Sequence, residues 1–209
     1  MWRLSMLVLA LALGGCNMVV SDTPWFTTAD EAGGPRLREG LWAGPPDAGC
    51  TFKESDPADQ WPKCANGILL KDHRMTPLGK QGASATMNIG AYVLAAGPPP
   101  IWQMRLTPSD ALPMGGDLPQ YIYLGFAPTK TDPDGRVTGF SSWLVQCGPL
   151  SGTGDKAETV THAPFPGLVV GKVNCTAKAR ADLLNAARLS KDLPSQDNGE
   201  TRWVRDGTE

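Results

Sequence analysis

The 209-residue chain lacks any run of five or more basic residues, and its 19 Lys and Arg do not outnumber its 21 Asp and Glu. Proteins that bind nucleic acids neutralise phosphates with a basic patch or stripe. The formal net charge of −2 supplies no such surface. The sequence therefore gives no support for a nucleic-acid partner.

Metal ligands are also scarce. The chain has two histidines, His73 and His162, and no Cys-x-x-Cys pair. Structural zinc sites use four Cys or His ligands, with two of them closely spaced in the sequence. We therefore expect no metal site and no cofactor.

Recognisable catalytic motifs are missing as well. No Gly-x-Ser-x-Gly elbow and no glycine-rich phosphate loop occurs. Asp72 and His73 are sequence neighbours, and neighbours on a strand point to opposite faces. His162 has no acidic neighbour closer than Glu158. The sequence identifies no catalytic residue, and whether the protein is an enzyme stays open.

The most informative stretch is the N-terminus. Arg3 precedes the ten-residue apolar run Leu4–Leu13, and small residues follow it. This run is too short to cross a bilayer, which takes about 20 apolar residues. A positive flank, a short apolar core and small residues are typical of a secretory signal peptide. We predict that residues 1–15 are removed.

Leu13-Gly14-Gly15-Cys16 resembles the lipobox of bacterial lipoproteins. The resemblance implies a diacylglyceryl group on Cys16, cleavage before Cys16 and acylation of the new amine, as with palmitate. Two or more acyl chains anchor a protein firmly, whereas one binds marginally. In this family Asp after the cysteine favours the inner membrane. Asn17 favours the outer membrane, facing the periplasm, with the periplasmic face of the inner membrane as the alternative.

Four cysteines remain after Cys16. An even number in an oxidising compartment predicts two disulfides, for which three pairings exist. The sequence-local set, Cys50–Cys64 and Cys147–Cys175, is favoured. Closing a loop of about 15 residues stabilises a fold by roughly 3 kcal/mol in the chain-entropy model.

The domain boundaries follow from these features. After the signal peptide, residues 16–36 are expected to be a lipidated N-terminus and flexible tether, and residues 37–205 a single globular domain. Residues 206–209 are expected to be a loose tail. The 24 Gly and 19 Pro favour many turns and short strands.

Alternation of apolar residues predicts most strands, and one helix is expected at 177–190, where apolar residues recur at helical spacing. The predicted strands are 37–42, 68–70, 87–96, 101–106, 121–126, 136–147, 157–161 and 167–173. The expected fold is a β-rich α+β domain, an antiparallel sheet or sandwich with the C-terminal helix packed across it.

Trp61 precedes Pro62 inside the loop bounded by Cys50 and Cys64. Aromatic side chains on such loops bind sugars and peptides, so Trp61 is the candidate exposed aromatic contact. The alternative is a hydrophobic plug beneath the loop.

The mature chain is also similar to uncharacterised bacterial lipoproteins, which implies no activity. The segments that carry this similarity are Leu37–Trp42, Trp61–Ala65, Val145–Pro149, Asn174–Thr176 and Arg202–Asp206. The sequence thus predicts a lipid-anchored cell-envelope protein with a disulfide-stabilised binding or structural domain, partnered by the membrane and by an envelope protein or glycan. A membrane-anchored envelope hydrolase is the alternative.

Overall fold

The computed structural model describes residues 17–79, 88–107, 120–152, 158–194, 196 and 199–207. The expected signal peptide and Cys16 lie outside the described residues. The described strands are β1 (Val20–Ser21), β2 (Arg36–Leu37), β3 (Gly40–Ala43), β4 (Gly67–Lys71), β5 (Arg74–Pro77), β6 (Asn88–Ala95), β7 (Ile101–Thr107), β8 (Tyr121–Thr131), β9 (Arg136–Leu144), β10 (Leu168–Val170), β11 (Cys175–Ala177) and β12 (Thr201–Arg205). The helix α1 spans Arg180–Ser190, and three short 3₁₀ turns span Thr28–Glu31, Ala58–Gln60 and Lys63–Ala65.

Eight strands close into an antiparallel barrel in the order β3-β4-β5-β6-β7-β8-β9-β12, with β12 pairing back onto β3. The predicted β-rich, antiparallel fold with one helix is confirmed, and the sheet is a closed barrel. Seven barrel strands follow one another along the chain, while β12 enters only after α1. Alternation within a strand does not reveal such a distant closing partner.

The barrel interior is a packed aromatic core. On β7, Trp102 and Met104 point inward while Gln103 and Arg105 point outward, as the period of two requires. Trp102 meets Phe140 edge-on at 5.3 Å between ring centroids, and Phe126 lies 4.9 Å from Phe140. Eight strands enclose a space just wide enough for side chains to fill. Space for a ligand therefore lies at the ends and on the outside of the barrel.

Because the strands are antiparallel, successive turns alternate between two ends. One end, here called the mouth, carries the turns at Asp72–His73, Ala96–Pro100 and Asp132–Gly135. The other end, the base, carries the long connections from β3 to β4 and from β9 to β12. Glycine at position 135 takes the left-handed conformation that the predicted β8–β9 turn requires (φ 73°).

The N-terminal segment is packed on the barrel, which differs from the flexible tether expected for residues 16–36. The Gln103 side chain, 3% exposed, accepts hydrogen bonds from the backbone N–H groups of Trp25 (2.8 Å) and Phe26 (3.0 Å) and donates one to the Phe26 carbonyl (2.8 Å). Ser21 shares a 2.5 Å hydrogen bond with Tyr123. Val19 and Val20 are buried as well. These apolar residues of the expected tether therefore belong to the core of the domain.

The helix begins at Arg180 rather than at residue 177, because Cys175–Ala177 pair with β10. Its buried side chains are Leu183, Ala186, Ala187 and Ser190. The alanines bring the helix close enough for the Ala187 carbonyl to accept a 2.7 Å hydrogen bond from Trp143 Nε1 on β9. We call α1, β1, the β10–β11 hairpin and the segments packed with them the helix layer.

Both favoured disulfides are present, with Cα–Cα distances of 5.6 Å for Cys50–Cys64 and 5.8 Å for Cys147–Cys175. Residues 50–64, here called the disulfide loop, fold back on the outer face of β3, β4 and β12. Trp61 is 1% exposed, and its ring packs on Phe52 at 5.1 Å. The expected exposed aromatic contact is therefore wrong, and Trp61 is the hydrophobic plug of the loop.

The C-terminal stretch closes the fold. Residues 201–205 form β12, and Asp206 accepts a 3.3 Å hydrogen bond from Arg38 Nη2. Of the expected loose tail, residues 208–209 lie outside the described residues. Among the described residues, no helix combines the length and apolar character needed to cross a bilayer.

Candidate functional site at the barrel mouth

A groove of about 760 Å³ opens at the mouth, between residues 28–37 and the β4–β5 turn. We call residues 28–37 the mouth segment. Ligand pockets typically have volumes of about 300–1,000 Å³. The groove lining beyond the mouth segment consists of Glu39, His73, Tyr92 and Leu94.

The β4–β5 turn has an unusual backbone. Asp72 (φ 49°) and His73 (φ 55°) both adopt the left-handed conformation, as the two central residues of a type I′ hairpin turn must. Such a conformation is strained for non-glycine residues and persists where neighbouring groups hold it. The Asp72 N–H donates to Glu39 Oε1 (3.0 Å), and the His73 carbonyl accepts from the Tyr92 N–H (2.9 Å). These bonds fix His73 at the groove.

The mouth segment is fixed by its own capping interactions. Thr27 and Asp30 form a capping box, in which the Thr27 N–H donates to Asp30 Oδ2 (2.8 Å). The Asp30 carbonyl accepts from the Ala96 N–H (2.8 Å), and Glu31 Oε1 accepts from the Leu94 N–H (3.0 Å). The segment is thus hydrogen-bonded to the end of β6, which aims Glu31 into the groove.

Glu31, His73 and Tyr92 meet in the groove. His73 Nδ1 lies 3.5 Å from Glu31 Oε1, and the imidazole packs against the Tyr92 ring at 5.7 Å between centroids. Tyr92 is 9% exposed. Burial raises the pKa of its hydroxyl, and the negative charges of Glu39 and Glu31 raise it further. Tyr92 therefore stays protonated and remains a hydrogen-bond donor across the physiological range.

The charge of the groove is set by Glu31 and Glu39. Arg36 carries the guanidinium found among the described lining residues, and it reaches instead towards the β8–β9 turn, where Nη2 lies 3.5 Å from the Asp134 carbonyl. Carboxylates accept hydrogen bonds and attract cations. Tyr92 places its aromatic ring and its protonated hydroxyl beside them. The groove therefore suits a ligand that carries a cationic amine or several hydrogen-bond donors.

Helix α1 pins the mouth segment from outside. Arg180 donates to Asp30 Oδ1 (2.7 Å) and to the Trp25 carbonyl (2.5 Å), and its guanidinium lies 4.6 Å from the centre of the Phe26 ring. The hydrogen bond from the Thr27 N–H is the largest cause that lowers the pKa of the Asp30 carboxyl, and the hydrogen bond from Arg180 lowers it further. The groove is therefore coupled to the helix layer through one arginine.

The residues singled out in the sequence mostly lie elsewhere. The four disulfide cysteines and Trp61 contribute nothing to the groove lining, and Cys16 lies outside the described residues. The His162 side chain is 85% exposed, with Nε2 3.7 Å from Glu158. In the part of the chain that the structure describes, no cluster of three or more His, Cys, Asp or Glu side chains suits a metal ion.

Sequence reasoning missed Glu31, Glu39 and Tyr92. The one available signal was Asp72-His73 between two apolar runs, which is compatible with a two-residue hairpin turn. Reading it as part of a strand placed the two side chains on opposite faces.

Comparison with known proteins identifies no relative. No protein-family model matches the chain. Neither a curated protein nor a solved structure matches it at a significant level.

Proposed function

We propose that this chain is a bacterial lipoprotein, anchored in the cell envelope through lipid on Cys16, whose barrel binds a small amine-bearing ligand in the mouth groove. The observation that carries the binding role is the convergence of Glu31, Glu39 and Tyr92 on one groove held rigid by backbone hydrogen bonds. A packed barrel with a preformed polar groove at one end is the arrangement of a binding domain.

The anchor rests on the lipobox Leu13-Gly14-Gly15-Cys16 and on the two disulfides, which suit an oxidising compartment. Cys16→Ala should abolish incorporation of a labelled fatty acid and release the protein from membranes. Asp22→Ala, an exposed position that leaves the lipobox intact, is the control and should still be labelled. Unchanged membrane fractionation of Cys16→Ala would contradict the anchor.

The ligand class is tested with two sugars that differ in charge. Glucosamine carries a cationic amine at neutral pH, whereas N-acetylglucosamine is neutral. NMR titration of the mature domain should show saturable shifts at the His73 and Leu94 amides with glucosamine, at least tenfold stronger binding than with N-acetylglucosamine, and loss of binding in Glu31→Gln. Equal binding of the two sugars would contradict recognition of the amine.

One observation favours the alternative, a membrane-anchored envelope hydrolase. His73 lies in a groove with a carboxylate and a protonated phenol, and a carboxylate beside an imidazole can orient it as a general base. Among the described residues that line the groove, hydroxyls belong to Thr28 and Tyr92. This alternative predicts turnover of an ester such as p-nitrophenyl acetate that falls at least tenfold in His73→Ala. If His73→Ala turned the ester over as fast as His162→Ala does, the hydrolase alternative would be excluded.

A further inference from the structure

The exposed large apolar side chains of the described residues fall in one stretch of the chain. They are Leu150 (36% exposed), Val169 (49%) and Val173 (51%). Val173 lies in the turn of the β10–β11 hairpin, beside the exposed Lys172, and Val169 pairs with Thr176 on the hairpin. The Cys147–Cys175 disulfide joins the segment that leads to Leu150 to the hairpin that carries both valines. Apolar side chains exposed close to one another mark a place where another apolar phase or molecule is met.

The described N-terminus runs directly beside these residues. A parallel bridge joins Val19 to Cys175, and the Cys175 N–H donates to the Met18 carbonyl (3.1 Å), so the chain just before Val19 runs beside the end of the hairpin turn. On the other side, Asn17 Nδ2 donates to the Gly148 carbonyl (2.7 Å), two residues before Leu150. The described N-terminus is therefore bonded on one side to the segment that leads to Leu150 and on the other to the strand that leaves the hairpin turn.

Asn17 is held firmly in this place. It is 1% exposed, its side-chain oxygen accepts from the Thr161 N–H (3.1 Å), and its carbonyl accepts from the Cys147 N–H (3.0 Å). Cys16 is bonded to Asn17, and consecutive Cα atoms are about 3.8 Å apart. By contrast, the flexible tether expected from the sequence would span roughly 25 Å over about 20 residues. A lipid on Cys16 would therefore have no spacer.

We infer that the domain lies directly on the bilayer, with Leu150, Val169 and Val173 in contact with the headgroup region and Lys172 facing lipid phosphates. We call these four residues the anchor face. The inference rests on the proposed lipidation of Cys16. Acyl chains attached to the residue before Asn17 would bring this surface to the membrane–water interface. Apolar side chains and lysine are favoured together there. The mouth groove, at the opposite end of the barrel, then opens away from the membrane.

The occupant of the anchor face is a lipid surface rather than a protein, because Asn17, the residue that follows the proposed attachment point, is hydrogen-bonded to Cys147 and Gly148 beside this surface. The test is hydroxyl-radical footprinting of the full lipidated protein, in detergent and in vesicles of phosphatidylethanolamine and phosphatidylglycerol. Labelling of Leu150 and Val173 should fall at least threefold in vesicles. His73, whose side chain is 57% exposed at the mouth, is the internal control and should be labelled equally in both.

A paired variant separates contact from attachment. Val169→Asp/Val173→Asp should float with vesicles as the parent does, yet regain detergent-level labelling at Leu150. Thr51→Asp/Gln60→Asp adds the same charge to exposed positions of the disulfide loop and should leave Leu150 protected.

The outcomes distinguish the two proposals. Flotation with unprotected Leu150 and Val173 would overturn the docked orientation and leave the anchor intact. Failure of the parent to float would overturn the anchor, and the orientation with it. Protection in native membranes but not in lipid vesicles would identify a protein as the occupant and overturn the inference.

Discussion

The helix layer and the disulfide loop cover different outer faces of the same barrel, and each contains one disulfide. Among the described residues, the cluster beneath the helix layer has twelve buried members, while the cluster beneath the disulfide loop has three, Ala43, Trp61 and Ala65. The first covering can rely on apolar burial. The second has little apolar area and depends on one tryptophan and one cross-link.

The helix layer and the disulfide loop nevertheless share two kinds of contact, an indole on a strand glycine and an arginine that donates hydrogen bonds. Each covering meets an indole that lies against a glycine of a barrel strand: the helix layer covers Trp143 of β9, which lies on Gly125 of β8, and the disulfide loop supplies Trp61, which lies on Gly67 of β4. Each is also tied to other parts of the fold by arginine. Arg180 binds Asp30 and the Trp25 carbonyl, and Arg205 on β12 donates to backbone carbonyls of the disulfide loop. Similar local contacts therefore supplement apolar burial in the helix layer, whereas in the disulfide loop they are the main support.

The largest effect should come from removing the plug of the weaker region. Trp61→Ala deletes the one large side chain among the fully buried described residues of the loop cluster and should lower the free energy of unfolding by about 3–5 kcal/mol. Urea unfolding followed by circular dichroism measures the change. Thr51→Ala, an exposed position in the same loop, should be neutral. A loss below about 1 kcal/mol for Trp61→Ala would mean that the loop is not supported by its plug.

The two disulfides should differ in how accessible they are to a reductant, and much less in how far they stabilise the fold by chain entropy. For sequence separations of 14 and 28, the chain-entropy model gives about 3.0 and about 3.6 kcal/mol. Cys147 and Cys175 are both 0% exposed, whereas Cys50 and Cys64 are partly exposed. We expect Cys50–Cys64 to be reduced first in native buffer.

Mass mapping after timed alkylation during mild reduction checks this order. Cys50→Ala/Cys64→Ala should leave the other disulfide as resistant as in the parent. Simultaneous loss of both disulfides would contradict the independence of the two coverings.

The strand glycines should show a smaller, graded effect. A Cβ at Gly67 would lie 2.7 Å from the Trp61 ring, and one at Gly125 would meet three atoms of Trp143 still more closely. Overpacking of this kind costs about 1–3 kcal/mol. We expect Gly125→Ala to destabilise more than Gly67→Ala, because the Trp143 indole is also held by its hydrogen bond to Ala187. Thermal unfolding of both variants, with Gly49→Ala as an open-space control whose own cost is backbone strain, gives the ranking.

The strand pattern, the helix and the disulfide pairing could be predicted from the sequence because each is encoded locally. The alternation of Trp102, Met104 and Leu106 is visible within six residues, and the paired cysteines are close in sequence. Barrel closure could not be predicted, since Trp203 pairs with Trp42 across most of the chain. The site was missed for a similar reason: Glu31 reaches His73 only after the mouth segment has packed on β6. The apolar residues near Trp25 gave a hint that this segment is not a tether.

The smallest expected effect is a dependence of local stability on pH. It tests whether the Asp30–Arg180 and Glu54–Arg202 ion pairs respond to acid in the same way. The pKa of Asp30 is lowered by the Thr27 N–H and Arg180, and that of Glu54 is lowered mainly by its hydrogen bonds to Arg202. A carboxyl whose folded pKa is depressed contributes stability above its unfolded pKa and loses it as pH falls through the folded value. Below about pH 4, the usual range of free Asp and Glu, we therefore expect both the mouth segment and the disulfide loop to loosen.

Amide exchange at Leu94 and Ala96 reports release of the mouth segment, because their N–H groups are bonded to Glu31 and Asp30. Asp30→Asn should raise this exchange at neutral pH and remove most of its acid dependence, while leaving exchange in the disulfide loop unchanged. Glu54→Gln should do the reverse. If either substitution loosened both regions, the two coverings would be coupled through the barrel, and the mouth groove would respond to events at the disulfide loop.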